Sequence, residues 1–167
     1  MSTAEVANAL IRPIRDSDVE DLGQVQAVCW HETYDQLIDG AALQNLSPRR
    51  MAELWSRIAS RGPEYNQFAA LVDGRIVGFV GSGPARDEDA PRERELYFLY
   101  LLAEYQGTGI GQKLFDAACA DRPGYLWVGK DNARAHSFYK RNGMTLDGTE
   151  EVKQLLGEDL VSVRFVR

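Results

Sequence analysis

Apolar and polar positions change period several times along the chain, and each change marks an element. Leu10-Ile11-Arg12-Pro13-Ile14-Arg15 reads as a first strand, and Pro13 places it at a sheet edge or strand end. Ser17-Asp18-Val19-Glu20 has the form of a capping box. Val19, Leu22, Val25, Val28 and Cys29 then recur at helical spacing, which predicts a helix ending around Trp30 to Tyr34. Ser47-Pro48 starts a second helix, with serine as cap and proline in the first helical position. Met51, Leu54, Trp55 and Ile58 form its apolar face. Two apolar runs, Gln67 to Val72 and Arg75 to Gly81, flank Asp73-Gly74 and predict a hairpin. Pro84 to Arg94 is polar and charged, and reads as a solvated loop.

The second half alternates more strictly. Arg94 to Leu102 ends in an apolar run that reads as a buried strand. Gln106-Gly107-Thr108-Gly109-Ile110-Gly111 follows, and a helix opens at once over residues 112–119. Tyr125-Leu126-Trp127-Val128 is a short buried strand. A helix opening near Asn132 stops at Asn142-Gly143, a C-cap pair. Met144 to Leu146 and Leu160 to Val166 read as closing strands, with a polar connection over Glu150 to Asp159. Alternating strands and helices of this kind make an α/β or α+β sheet.

The glycine-rich turn between strand and helix carries the chemistry. Such a turn presents unpaired backbone N–H groups to an anion, and glycine lets the main chain come close to the ligand. Two common phosphate loops fail on spacing. A Walker loop needs Gly-Lys-Ser/Thr, whereas Lys113 lies two residues beyond Gly111 and precedes Leu114. A dinucleotide fingerprint needs Gly-x-Gly-x-x-Gly, whereas this chain has Gly107-x-Gly109-x-Gly111. The stretch instead resembles the Gln/Arg-x-x-Gly-x-Gly/Ala loop of the GCN5-related N-acetyltransferase (GNAT) superfamily, with Gln106, Gly109 and Gly111 at its fixed positions. A second segment, Asn132 to Met144, is similar to the Asn-x-x-Ala-x-x-Phe-Tyr-x-x-x-Gly-Phe/Met segment of the same superfamily, in the same order.

The resemblance runs from about Leu10 to the C-terminus. It implies a single domain over residues 10–167, and the residues before it, 1–9, read from their own composition as a mobile tail. It also implies a mixed central sheet of about seven strands flanked by helices. The strand before the glycine loop and the one holding Trp127 would splay apart to seat a pantetheine arm. Acetyl-coenzyme A is then the implied cofactor. Gln106, Gly107, Thr108, Gly109, Ile110 and Gly111 would bind its pyrophosphate, and the backbone of Leu99, Tyr100 and Leu101 would pair with the pantetheine amides. Asn132 either bonds near that arm or serves as a plain helix cap, and the roles are compatible.

The implied reaction is transfer of an acetyl group from a thioester to an amine. Only the neutral amine attacks, and an alkylammonium has a pKa of about 10.4, so a proton must be removed. The leaving thiolate needs an acid. Tyr139 matches the superfamily tyrosine that serves as that acid, and it also contacts the cofactor. Glu95, at the start of the strand, is the candidate base, since period-two alternation would set it on one face with Tyr97, Leu99 and Leu101. Glu32 is the rival carboxylate. Trp30, Glu32 and Tyr34 lie where relatives build part of the acceptor pocket, and a Trp and Tyr four apart are equally a helical packing pair.

Composition narrows this only in places. The 167 residues suit one domain with a sizeable core. A net charge of -6 disfavours a general nucleic-acid surface. No run approaches a membrane span and no secretory leader is legible, so a cytoplasmic protein is expected. The two cysteines and two histidines show no metal-ligand spacing, so no metal is expected. Both cysteines lie on apolar helix faces, which disfavours a covalent acyl-enzyme. The expected acceptor is a small primary amine; a peptide or protein acceptor, or a non-catalytic acyl-coenzyme A-binding module, are the alternatives. Homodimers are common in the superfamily, and no interface is legible here.

Overall fold

The computed structural model describes residues 8–34, 47–155 and 157–167. Most of the expected tail falls outside those residues; of its described end, Ala9 packs against the core. The described strands are β1 (Leu10–Pro13), β2 (Asn66–Val72), β3 (Arg75–Pro84), β4 (Arg94–Leu101), β5 (Tyr125–Gly129), β6 (Thr145–Leu155) and β7 (Glu158–Val166). The helices are α1 (Val19–Tyr34), α2 (Pro48–Ala59), α3 (Ile110–Ala118) and α4 (Ala133–Arg141). All seven strands join one sheet in the order β1-β2-β3-β4-β5-β7-β6. Every pairing is antiparallel except β4 with β5, as expected where a helix, α3, crosses between consecutive parallel strands.

Each face of the sheet carries its own core. Leu22, Cys29, Trp55, Ile58 and Phe79 pack α1 and α2 against one face. Burying each of these larger side chains contributes roughly 1.5–3 kcal/mol. α1 and α2 cross closely at Gly23, where any Cβ would stand 2.7 Å from the Ala52 nitrogen. Trp55 is held there by its indole N–H, which donates to Gln26 Oε1 at 2.6 Å. On the opposite face, Leu96, Leu101, Ile110, Leu114, Phe115, Leu126, Tyr139 and Phe165 pack α3 and α4 down.

Ser47 caps α2 as its sequence predicts, accepting from the Arg50 N–H at 3.2 Å. The first helix starts differently. Asp18, not Ser17, makes the capping contact, accepting from the Arg15 N–H at 2.8 Å and from Arg12 at 2.7 and 2.9 Å. Spacing sets Val28 and Leu54 on apolar helix faces, yet they are 46% and 41% exposed respectively, at the margin of the stripe. The connection expected over Glu150 to Asp159 is instead a continuation of β6 and β7, paired from Glu150↔Val163 to Leu155↔Glu158. Alternating charge there masked the strand, because the hairpin has a solvated face.

Candidate active site

The parallel pair β4–β5 is joined at only Glu95↔Tyr125 and Leu96↔Leu126. Beyond Leu96 the strands diverge, and the expected splay is present. A cleft of about 700 Å³ opens between them, lined from β4, β5, α1, α4 and the glycine turn. A separate crevice of about 20 Å³ beside Cys119 has room for little more than a water molecule and gathers no reactive set.

Glycine spacing builds the mouth of this cleft. Gly107 and Gly109 have φ of 76° and 89°, in the left-handed region that strains any residue with a Cβ. The turn thereby enters α3 with its amides outward. Lys113 N–H, donating to the Gly109 carbonyl at 3.2 Å, makes the first helical bond. Among the described residues, the consecutive N–H groups from Gly107 to Gln112 have no protein acceptor. Such a run, at the positive end of a helix dipole, is an anion cradle. Gln106 supports it by donating from Nε2 to the Leu101 carbonyl at 3.1 Å. Only the backbone of Thr108 and Ile110 is free at this turn: the Thr108 hydroxyl donates to the Tyr105 carbonyl, and the Ile110 side chain is wholly buried.

Asn132 caps α4, its Oδ1 accepting from the Ala135 N–H at 3.2 Å, and it lines the cleft as well. The cap is therefore made, and the residue's place on the cleft leaves the second role open to it. Tyr139 packs its ring among Phe115, Phe138 and Phe165 and lines the cleft. Its hydroxyl has no hydrogen-bond partner among the described residues. Burial, with Cys119 and Tyr34 adding, pushes its pKa far up, so it stays protonated at neutral pH.

The α1 side of the cleft is aromatic. Tyr34 and Tyr100 share a hydroxyl hydrogen bond at 3.1 Å. Trp30 meets the Tyr34 ring edge-on at 5.5 Å and backs this pair, without itself lining the cleft. Burial raises the Tyr34 phenol, and raises Tyr100 further. Glu32 is the one carboxylate lining the cleft among the described residues; its Oε2 accepts from the Ala103 N–H at 2.9 Å, fixing the end of α1 to the turn after β4.

Glu95 does not line the cleft. The strand pairing jumps from Gly81↔Phe98 to Ser82↔Leu96, so a β-bulge inserts Tyr97 as an extra residue. Leu96, not Glu95, therefore shares a core with Leu99 and Leu101. The Glu95 carboxylate is 2% exposed, and it accepts from Arg86 at 2.8 and 3.1 Å, from the Arg86 backbone N–H at 3.1 Å and from Tyr125 at 3.1 Å. The Tyr125 hydroxyl in turn accepts from the N–H groups of Arg86 and Asp87. The β3–β4 connection is thus clamped to the sheet at this end, where sequence predicts a solvated loop. Glu95→Gln is expected to cost about 1–3 kcal/mol, read as a fall of several degrees in Tm, while leaving the acidic limb of the kcat–pH profile in place. Disappearance of that limb would return Glu95 to the role of base.

Sequence reasoning did not single out several of the lining residues. Trp127 lines the β5 wall, its indole N–H donating to Asp87 at 2.7 Å. Arg134 and Arg141 line the cleft from α4. Their spacing with Phe138 (four, then three) marks one helix face and was legible in principle. Neither cysteine suits nucleophilic catalysis, since burial pushes Cys29 up to about 12 and Cys119 up to about 11.

Residues 26–144 match the family model described as the acetyltransferase (GNAT) family. An uncharacterized N-acetyltransferase of Archaeoglobus fulgidus is 31% identical over 75% of this chain and 88% of its own length. YuaI of Bacillus subtilis, named an uncharacterized N-acetyltransferase, is 30% identical over 62% of this chain, and the match spans 58% of YuaI. Among solved structures, the PaiA N-acetyltransferase of Thermoplasma acidophilum, in complex with coenzyme A, superposes with a TM-score of 0.67 over 93% of this chain and 98% of its own, at 21% identity. At that identity the likeness establishes the fold.

Proposed function

The chain belongs to the acetyltransferase (GNAT) family, and from that premise we propose that it transfers an acetyl group directly from acetyl-coenzyme A to the primary amine of a small molecule. The run of unengaged N–H groups from Gly107 to Gln112, at the mouth of the splay and on the same cleft as Tyr139, carries this reading. It suits a pyrophosphate, and the diverging strands leave room for a pantetheine arm leading to Tyr139.

In this mechanism Glu32 attracts the ammonium form of the acceptor, and its proton leaves through water to that carboxylate or to solvent. The neutral amine attacks the thioester carbon, the C–S bond breaks and Tyr139 donates its proton to the leaving sulfur, while the nitrogen, now cationic, loses its second proton to water as the amide forms and water reprotonates Tyr139. A thiolate held beside the same buried aromatic rings would itself be raised by desolvation, so its proton affinity stays within reach of the buried phenol. No acyl-enzyme is needed, in keeping with two protonated thiols, neither of which lines the cleft. The reading is tested by incubating the protein with acetyl-coenzyme A and a panel of small amines, following thiol release and acetylated product by mass spectrometry. A parallel panel of peptides with free N-termini and lysines competes. Product from the peptides alone would replace the small-molecule reading; no product from either would support an inert acyl-coenzyme A-binding module.

A further inference from the structure

The polar atoms on the α1 side of the cleft are engaged within the protein. Phe98 and Tyr100 pack with the core beneath α1 and α2, which sets them on that face of β4. On β5, Leu126 and Val128 join the core of the opposite face, so Trp127 between them turns toward the α1 side, away from α3 and the glycine turn. The Trp127 indole N–H donates to Asp87 Oδ2 at 2.7 Å. The Tyr97 hydroxyl donates to the Pro84 carbonyl, and those of Tyr34 and Tyr100 bond each other at 3.1 Å. Tyr34, Tyr97, Tyr100 and Trp127 all line the cleft and are half-buried. What they chiefly leave to a ligand is ring surface.

Charge on this side is sparse. Among the described residues Glu32 is the one carboxylate lining the cleft, and the lining cations, Arg134 and Arg141, belong to α4 on the other face. A substrate carboxylate lodged among the four rings would have no partner there, and burying one unpaired is costly. Trp127 is itself held in place. Asp87, which takes its N–H, stands 3.6 Å from Arg164, and Arg164 is only 6% exposed and donates to Asp147 at 2.7 Å. Arg164 and Lys153 lie 5.4 and 5.1 Å from the Trp127 ring centre. Cations already at this ring disfavour another, so it suits the uncharged body of a substrate and leaves the ammonium to Glu32.

Resting on the transferase reading, we infer that the acceptor is an arylalkylamine, a primary amine on a flat aromatic body that carries no carboxylate. Its ring stacks against Trp127, which determines the specificity. Asp87 is a positioning residue that acts through the indole. Aromatic pairs gain beyond the area they bury, which favours such a body over an aliphatic one.

The test compares phenylethylamine with butylamine, which lacks the ring, and with free phenylalanine, which adds a carboxylate. The wild type is expected to acetylate phenylethylamine with kcat/KM about ten-fold above butylamine and at least about ten-fold above phenylalanine. Trp127→Leu should bring the phenylethylamine-to-butylamine ratio to within about two-fold of unity. Asp87→Leu should cut that ratio about three-fold or more, through KM, and Asp87→Asn, which keeps an oxygen for the indole N–H, should restore it. A merely structural loss would lower turnover of both amines alike and leave the ratio in place. A wild-type ratio near one, a preference for phenylalanine, or a ratio unmoved in Trp127→Leu or Asp87→Leu would overturn the inference. So would calorimetric binding of acetyl-coenzyme A with none of these amines acetylated, an outcome that leaves the cofactor reading standing. Absence of that binding would instead remove the transferase reading itself, and the acceptor class with it.

Discussion

Tyr139→Phe is expected to lower kcat about a hundred-fold or more, the usual worth of a positioned general acid. Affinity for acetyl-coenzyme A should change little, because the ring keeps its contacts with Phe115, Phe138 and Phe165. Stability should also hold, since the removed hydroxyl has no partner in the described residues to strand. The pH dependence follows from the direction of the shift. Burial raises the phenol above its ordinary value near 10, so the proton it donates is present throughout the neutral range and is lost only at strongly alkaline pH. The wild type should therefore show no alkaline fall in kcat below about pH 10 from this group. Steady-state kinetics from pH 6 to about 10, alongside calorimetric Kd values, would check both halves. Unchanged turnover in the Phe variant would remove Tyr139 as the acid.

The other large effect belongs to the glycine turn. Gly109→Val should weaken acetyl-coenzyme A binding about a hundred-fold, whereas Gly111→Ala should stay within about three-fold. Gly109 sits at φ 89°, where a β-branched residue is strained, and no heavy atom stands within 4 Å of its missing Cβ. The new side chain would project into the open concavity that the proposed site gives to the phosphates. Gly111 has an ordinary helical backbone, and a Cβ there meets Phe138 at 3.7 Å and Leu101 at 3.9 Å, normal van der Waals separations. This difference is the physical reason the motif admits Ala at the last position but not at the middle one. Binding isotherms of the two variants, with circular dichroism to confirm that both fold, would settle the contrast; equal affinities would show that the turn is only a bend between strand and helix.

Legibility of the fold followed from how local each signal is. Ser47-Pro48, Asp73-Gly74 and the glycine turn act within a few residues, and all three features stand where the pattern predicts. The splay is not local. It depends on β4 and β5 pairing over two residues and then parting, and came only with the superfamily resemblance. Glu95 shows how a small irregularity misleads. Alternation assumes an unbroken strand, and one bulge at Tyr97 turned Glu95 toward Arg86 and Tyr125 and away from Leu99. The clamp it forms could not be read from the residues themselves, because Arg86, Glu95 and Tyr125 come from three separate segments. Arg134 and Arg141 had a different difficulty: an exposed arginine on a helix is usually only solvated, and their place on the cleft emerges once α4 is seen docked beside α3.

The most direct test is calorimetric titration with acetyl-coenzyme A, with ATP and NAD as controls. Saturable binding of acetyl-coenzyme A, absent for the other two, is the predicted result. A folded protein that bound none of them, or bound ATP in preference, would contradict the account.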